Sequence, residues 1–287
     1  MGLRFLVVEG NPRDARERHL ATFGKTCSQS YADTLVSLAP DAICDICMPA
    51  DDGANLPDSG GLEGYDGVAL TGSALNIYDG GPAIGRQLDL ARAIFAARVP
   101  FFGSCWGLQI AATAAGGEVI RNPRGRGAGF ARNITPTQAG AAHPLLAGRP
   151  KAFDAPCVHL DIVARPPDDA DVLACNAHAP VQAAEIRHAG GTFWGVQYHP
   201  EYALDELAAI IERRLQPFVA EGFFADEEQG RAFCADLRAL HADPAQRHVA
   251  WRYGVPRDIV DRDTRLTELR NWLTHFVRPE KSRRGRA

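Results

Sequence analysis

The chain has 287 residues, 46% of them hydrophobic, enough to bury a large core. A formal net charge of -4, from 31 Lys and Arg against 35 Asp and Glu, excludes the basic footprint of a nucleic-acid-binding protein. No apolar run reaches membrane-spanning length, Met1 to Val8 leads straight into a strand-like segment, and the seven cysteines are odd in number and widely spread. A soluble, cytoplasmic protein without a membrane segment or disulfide framework is expected.

In chain order, Leu3 to Val8 reads as an apolar first strand, and Glu9-Gly10-Asn11-Pro12 as a turn into a polar helix from Arg13 to Phe23 that Gly24 stops. Ala42 to Cys47 reads as a second strand. Its Cys44 and Cys47 have the spacing of a metal or redox motif, but no second Cys or His pair completes a zinc site, so both are read as structural. Met48 to Gly61, dense in Pro, Asp and Gly, reads as a loop. Tyr65 to Leu70 gives a third strand ending at Thr71-Gly72-Ser73, and Gly85 to Arg98 alternates like an amphipathic helix. This alternation predicts an α/β fold with a doubly wound, mostly parallel sheet, whose reactive groups gather at the C-terminal ends of its strands.

The stretch Val99-Pro100-Phe101-Phe102-Gly103-Ser104-Cys105-Trp106-Gly107-Leu108-Gln109 carries the chemistry. A short apolar strand meets Gly-x-Cys-x-Gly, and an alanine-rich helix from Ile110 to Ala115 leaves it. The pattern is a cysteine version of the nucleophile elbow, in which the glycines relieve crowding and the helix N-terminus favours negative charge. A lone cysteine is more often a buried hydrophobe; the glycine spacing makes Cys105 the candidate nucleophile. Gly72, at the end of the neighbouring strand, and the amide of Trp106 are the candidate oxyanion hole, the alternative for Gly72 being a plain strand-end turn.

Beyond Gly117 the pattern becomes β-rich, with short strands expected at Glu118 to Arg121, Phe130 to Thr135, Val158 to Val163, Val172 to Ala174, Val181 to Ile186 and Thr192 to Gln197. Asn122 to Gly129 reads as a Gly-rich loop, and no Gly-Lys-Ser/Thr makes it a phosphate loop. The second decisive stretch is Gly195-Val196-Gln197-Tyr198-His199-Pro200-Glu201. A strand delivers His199 at its end, Pro200 stiffens the turn, and Glu201 can fold back on one imidazole nitrogen, leaving the other to take a thiol proton. His159 and His178 are weaker candidates in pocket loops.

The two motifs together resemble the class I, or triad, glutamine amidotransferases. Pro100 to Gln109 matches that family's nucleophile signature, and Val196 to Glu201 its His-Pro-Glu signature. Leu70-Thr71-Gly72-Ser73 stands where the family has its oxyanion glycine. Val158-His159-Leu160-Asp161 looks like the His-x-Asp loop of the branch similar to the amidotransferase domain of GMP synthase.

The resemblance spans about Leu3 to Pro217 and implies a flavodoxin-like fold for residues 1–217. It implies Cys105, His199 and Glu201 as the catalytic set, and L-glutamine or another γ-glutamyl compound as substrate. It also implies Gln109, with Ser73 and His159, as substrate-binding, and neither metal nor organic cofactor. Gly127-Ala128-Gly129 stands where the family often has Glu-x-Gly, and Ser73 replaces a common glycine. Both departures bear on the acyl substrate more than on the chemistry.

Residues 218–287 read as a helical extension with a basic tail. Helices are expected at Leu204 to Phe218, Asp226 to His241 and Thr264 to Phe276, and Arg278 to Ala287 as a disordered end. Leu266, Leu269, Trp272, Leu273 and Phe276 form an apolar stripe that packs on the core or forms a homo-oligomer or partner face. No glycine-rich phosphate loop of a synthetase follows residue 204, so an ammonia acceptor is expected on another chain. Three function classes follow: a glutaminase or amidotransferase subunit, favoured by the His159–Asp161 loop; a γ-glutamyl peptidase or hydrolase using the same triad; and a non-catalytic binding protein on this fold.

Overall fold

The structure is a computed structural model that describes residues 2–53 and 61–285. Its parallel half is built from β1 (Arg4–Val8), β2 (Ile43–Cys47), β3 (Gly67–Leu70), β4 (Phe101–Ser104) and β11 (Gly191–Val196), side by side in the order β2-β1-β3-β4-β11. Strand β1 shows why the sheet is wound on both faces. Phe5 and Val7 enter one core with Tyr31, Leu35 and Trp272, while Leu6 and Val8 enter the other with Ile84, Phe95 and Leu108. Successive side chains of one strand thus need cover on opposite sides.

That cover comes from α2 (Cys27–Leu38), α3 (Pro82–Ala97) and α4 (Trp106–Ala114), with Trp272 from a C-terminal helix, while α1 (Arg13–Phe23) packs against the helix at Leu204–Glu212. Gly24 ends α1 with φ 84°, as expected of a left-handed C-cap. Helix α2 has no counterpart among the expected elements, although its start is written locally. The Thr26 side chain accepts from the Gln29 amide, and the Gln29 side chain accepts from the Thr26 amide, a complete capping box.

The expected parallel sheet is continued at one side by antiparallel strands, so the whole sheet is mixed. β11 is followed outward by β10 (Ala183–His188), β9 (Ala170–Cys175), β6 (Gly127–Pro136) and β7 (Phe153–His159), all joined antiparallel, so that the described residues form a nine-stranded sheet. Short connections join β9 to β10 and β10 to β11, which only antiparallel neighbours allow, whereas β6 and β7 are joined across a longer segment that includes a short helix. The Gly-rich stretch expected to be loop up to Gly129 becomes strand from Gly127, because its backbone pairs with His159 and Val158. The single strand expected from Val158 to Val163 is broken at Leu160. β7 ends at His159, and β8 (Asp161–Arg165) pairs with β5 (Glu118–Arg121) in a separate two-stranded sheet.

After the short α5 (Gln138–Ala142), the remaining helices follow the sheet. The helix expected from Leu204 to Phe218 is two, α6 (Leu204–Glu212) and α7 (Leu215–Ala220), because Arg214 leaves helical geometry at φ -129°. α6 shares a core with α8 (Glu227–Ala242) and α9 (Arg247–Tyr253) through Leu207, Ile211, Leu237 and Val249. The stripe from Leu266 to Leu273 packs on the sheet, where Trp272 lies 5.7 Å from the Phe5 ring and 5.6 Å from Phe102.

The basic tail is ordered where it is described. Arg278–Arg283 is helical and its buried Lys281 reaches Asp66 Oδ2 at 3.0 Å, an ion pair that fixes the last turn. Residues 286–287, and 54–60 of the expected loop, lie outside the described residues. Among the described residues no helix is long and apolar enough to cross a membrane.

Candidate active site

Strand β4 and helix α4 meet at Cys105, whose backbone is forced to φ 54°, ψ -99°. A non-glycine residue there is strained and persists only where its surroundings hold it. The surroundings are close. A Cβ on Gly103 would sit 2.7 Å from Gly107 Cα, and one on Gly107 would sit 2.6 Å from the Leu70 carbonyl oxygen. Glycine at both positions therefore lets α4 pass directly over β3 and β4. The Cys105 amide donates to Val196 O at 2.7 Å, tying the elbow to the end of β11. Trp106 is the first residue of α4, where a helical N–H has no acceptor a turn earlier.

Three residues after β11, His199 is pinned by its own amide, which donates to Pro156 O at 2.8 Å. Glu201 folds back across Pro200, and its Oε1 lies 2.7 Å from His199 Nδ1. Cys105 and His199 line the same small cavity, close enough for the thiol to act on the charge of the ring, and Cys105 Sγ lies 3.9 Å from Val158 O. Cysteine, imidazole and carboxylate thus form one buried group. Burial opposes charge on the ring, but the Glu201 carboxylate, helped by Cys105 and by its own hydrogen bond to the ring, outweighs it and raises the His199 pKa to about 10.

Gly72 completes the picture, since a Cβ there would lie 2.7 Å from His199 Cε1. Only a bare backbone fits between β3 and the ring. A family model described as glutamine amidotransferase class-I matches residues 23–216, the span that holds all of these groups. The chain belongs to the class-I glutamine amidotransferase family.

Relatives of this family divide by length. A γ-glutamyl-L-1-hydroxyisopropylamide hydrolase of Pseudomonas sp. is 33% identical over 98% of this chain and 96% of that protein. A glutamine-hydrolysing GMP synthase of Leifsonia xyli is 32% identical over 61% of this chain, which spans only a third of that relative's length. Among solved structures, a glutamine amidotransferase from Thermotoga maritima superposes with a TM-score of 0.62 at 16% identity, covering 96% of this chain and 99% of that one. The flavodoxin-like fold of class-I amidotransferases is the fold of this chain. Family and hydrolase-named relatives together mark it as an enzyme.

The other residues singled out in the sequence are placed differently from one another. Gln109 Nε2 donates to Asp161 O at 3.1 Å and faces Gln197 Oε1 at 3.4 Å, so it braces the turn between β7 and β8. Ser73 borders the cavity over Cys105, but its hydroxyl donates to Gly10 O at 2.8 Å and accepts from the Leu75 amide, fastening the loop behind Gly72. His159 forms no part of that cavity. It lines a separate space of about 340 Å³ with His178 and Cys157, and burial pushes its pKa down to about 3. Cys44 and Cys47 point to opposite faces of β2, and burial raises their thiols to about 11 and 12, which suits structural packing.

Several residues of the site had no signal in the sequence. Ser104 donates to Glu201 Oε2 at 2.9 Å and meets Tyr31 Oη at 3.2 Å. The Tyr202 ring stacks on His199 at 3.9 Å and 6°. Asn11 accepts from the Ala74 amide at 2.9 Å, holding the loop after Gly72. Apart from the Tyr202 stack, which is three residues from His199, these contacts join segments far apart in the chain that only the fold brings together.

His19, Cys27 and Glu206 are the described residues whose ligand atoms come close enough for a metal ion, within 4.8 Å of one another. They are wired for hydrogen bonding instead. Arg213 Nη1 lies 2.7 Å from His19 Nδ1, and a guanidinium can only donate, so Nε2 carries the ring proton toward Glu206 Oε1 at 3.2 Å. The Cys27 thiol is held well above its usual range by burial and by the Glu9 charge.

Proposed function

We propose that this enzyme is a γ-glutamyl amide hydrolase working through a cysteinyl thioester. The observation that carries the reading is the buried grouping of Cys105, His199 and Glu201, with Glu201 Oε1 2.7 Å from His199 Nδ1 and Cys105 on the same cavity wall as the ring. Cys105 Sγ attacks the γ-carbonyl carbon, and the carbonyl oxygen becomes an oxyanion facing the backbone N–H groups of Gly72 and Trp106. His199, carrying the thiol proton, gives it to the amide nitrogen as the C–N bond breaks and the amine leaves. A water then attacks the γ-glutamyl thioester, loses a proton to His199, and glutamate departs as the thiol is restored. Glu201 keeps Nδ1 protonated and Nε2 facing the sulfur throughout.

The relative that matches along almost the whole chain is named for hydrolysis of a γ-glutamyl amide, which favours an amine larger than ammonia as leaving group. A second reading is glutamine hydrolysis with ammonia passed to an acceptor on another chain. The match to a separate glutamine-hydrolysing GMP synthase subunit of Methanocaldococcus jannaschii, 32% identical over 45% of this chain and 65% of that relative, favours it. Glutamate release by purified protein from glutamine and from a panel of γ-glutamyl amides, with Cys105→Ala as the blank, separates the two. Faster release from the substituted amides is expected; faster release from glutamine transfers the assignment to the amidotransferase reading.

A further inference from the structure

A small cavity opens over the nucleophile, walled by Asn11, Gly72, Cys105, His199, Arg213 and Arg214 among others. Two consecutive arginines at the rim of a reacting centre call for an account. They stand where α6 gives way to α7, so both half-buried guanidinium stems turn toward the space over Cys105 rather than along one helix face.

The two are not equivalent. Arg213 is held by His19, which is itself held by Glu206, a buried three-residue brace from α1 to α6. Arg214 has no hydrogen bond or ion pair from its side chain among the described residues. The carboxylates around it are committed elsewhere: Glu206 to His19, Glu201 to His199 and Ser104, Glu221 to Arg126. Burial lowers the Arg214 pKa, and the Arg213 charge adds to the effect. A sequestered cation beside a second cation, with no counter-ion, is a prepared seat for an anion.

Which part of a substrate carries that anion follows from the side of the site the arginines occupy. The same cavity wall contains His199, which protonates the departing nitrogen, and Tyr202, stacked on it. Gln109, His159 and Asp161, on the other flank, form none of that wall. We infer that Arg214, backed by Arg213, binds a carboxylate borne by the leaving amine, so that the preferred substrates are γ-glutamyl amino acids. This inference rests on the hydrolase reading and narrows it. The open space is about 40 Å³, so such a leaving group enters as the uncommitted Arg214 side chain swings outward while Arg213 stays on its brace.

The test measures binding separately from turnover. Calorimetric titration of the Cys105→Ala protein with γ-glutamylalanine and with γ-glutamylethylamide, which lacks the carboxylate, is expected to show the dipeptide binding about ten- to a hundredfold tighter, the range for a hydrogen bond to a charged group. Arg214→Gln in the same background is expected to bring the ratio of the two affinities close to one, and Arg214→Lys to keep part of it. Because a ratio is taken within one protein, loss of folded material cancels. A ratio near one in the parent, or a ratio that Arg214→Gln leaves unchanged, overturns the assignment; the second result places the arginine on the glutamyl half or on neither ligand. If wild-type protein releases no glutamate from any γ-glutamyl compound, the hydrolase reading fails by itself, and the binding ratio still decides the carboxylate seat.

Discussion

Ser104 and Glu201 are 97 residues apart in the chain, yet the Ser104 hydroxyl donates to Glu201 Oε2 at 2.9 Å. The residue immediately before Cys105 thus grips the far oxygen of the carboxylate whose near oxygen holds the His199 ring. One strand end sets the positions of both termini of the proposed proton path. The Tyr31 hydroxyl, 3.2 Å from Ser104 Oγ, extends the grip to α2.

Ser104→Ala should therefore act through orientation. Removing the hydroxyl leaves Glu201 Oε2 buried without that donor, and the loss of one hydrogen bond to a charged group is about 1.5–3 kcal/mol. The expected outcome is a fall in kcat of about tenfold or more with little change in KM, since the residue touches no substrate. Steady-state kinetics on a γ-glutamyl amide check it. A change confined to KM would contradict the positioning role.

Cys105 offers a separate test of strain. At φ 54° every L-residue is uncomfortable, and the usual range for such strain is about 1–3 kcal/mol. Cys105→Ala is expected to abolish turnover and keep the strain, whereas Cys105→Gly abolishes turnover and relieves it. Urea denaturation of the two inactive variants should find the glycine protein more stable by about 1 kcal/mol, despite the greater freedom of its unfolded chain. Equal stabilities, or a less stable glycine variant, would mean that the elbow is not strained.

The legible parts of this site were those written in consecutive residues. Gly103-x-Cys105-x-Gly107 and His199-Pro200-Glu201 carry their geometry in local spacing, and so does Gly72 once the strand before it is recognised. Ser104, Tyr31 and the His19–Glu206–Arg213 brace act across 70 or more residues, and nothing in a one-dimensional pattern joins them. The fold shows the same division. The parallel half follows from alternating strands and helices, while the antiparallel half depends on pairings such as Gly127 with His159 that no local period encodes. The break at Leu160 is hidden because Val158-His159-Leu160-Asp161-Ile162 keeps the apolar–polar alternation of one continuous strand, and only a change of pairing partner separates β7 from β8. The α2 helix is different, since its Thr26–Gln29 capping box is a local signal present in the sequence itself.

His199 predicts the pH dependence of stability. Its folded pKa, about 10, lies above the ordinary value of 6.5 because the effect of the Glu201 carboxylate and of Cys105 exceeds that of burial. For a group raised on folding, the stabilisation is fully present below the unfolded value and is lost as pH rises through the folded one. Stability should therefore decline from about pH 6.5 to about pH 10, and His199→Gln should flatten that decline. Chemical denaturation at pH 6, 8 and 10 on both proteins checks it. A parallel decline in the variant would assign the slope to other groups.

The last prediction concerns the C-terminal helices. Trp272 is fully buried, flanked by the Phe5 and Phe102 rings, and presses so closely on β3 that a Cβ on Gly67 would lie 2.9 Å from its indole. Phe102 is two residues before Ser104 on the strand that leads into Cys105, so the indole supports the floor of the site from the side opposite α4. Trp272→Ala should destabilise the protein by about 3–5 kcal/mol, as truncation of a buried aromatic does. Because the indole shares one core with β1 and β4, unfolding should remain a single transition with its midpoint lowered, read by both far-ultraviolet circular dichroism and tryptophan fluorescence. An early, separate transition with the rest of the curve unmoved would mean that the helical segment melts independently, and that the sheet does not rely on it.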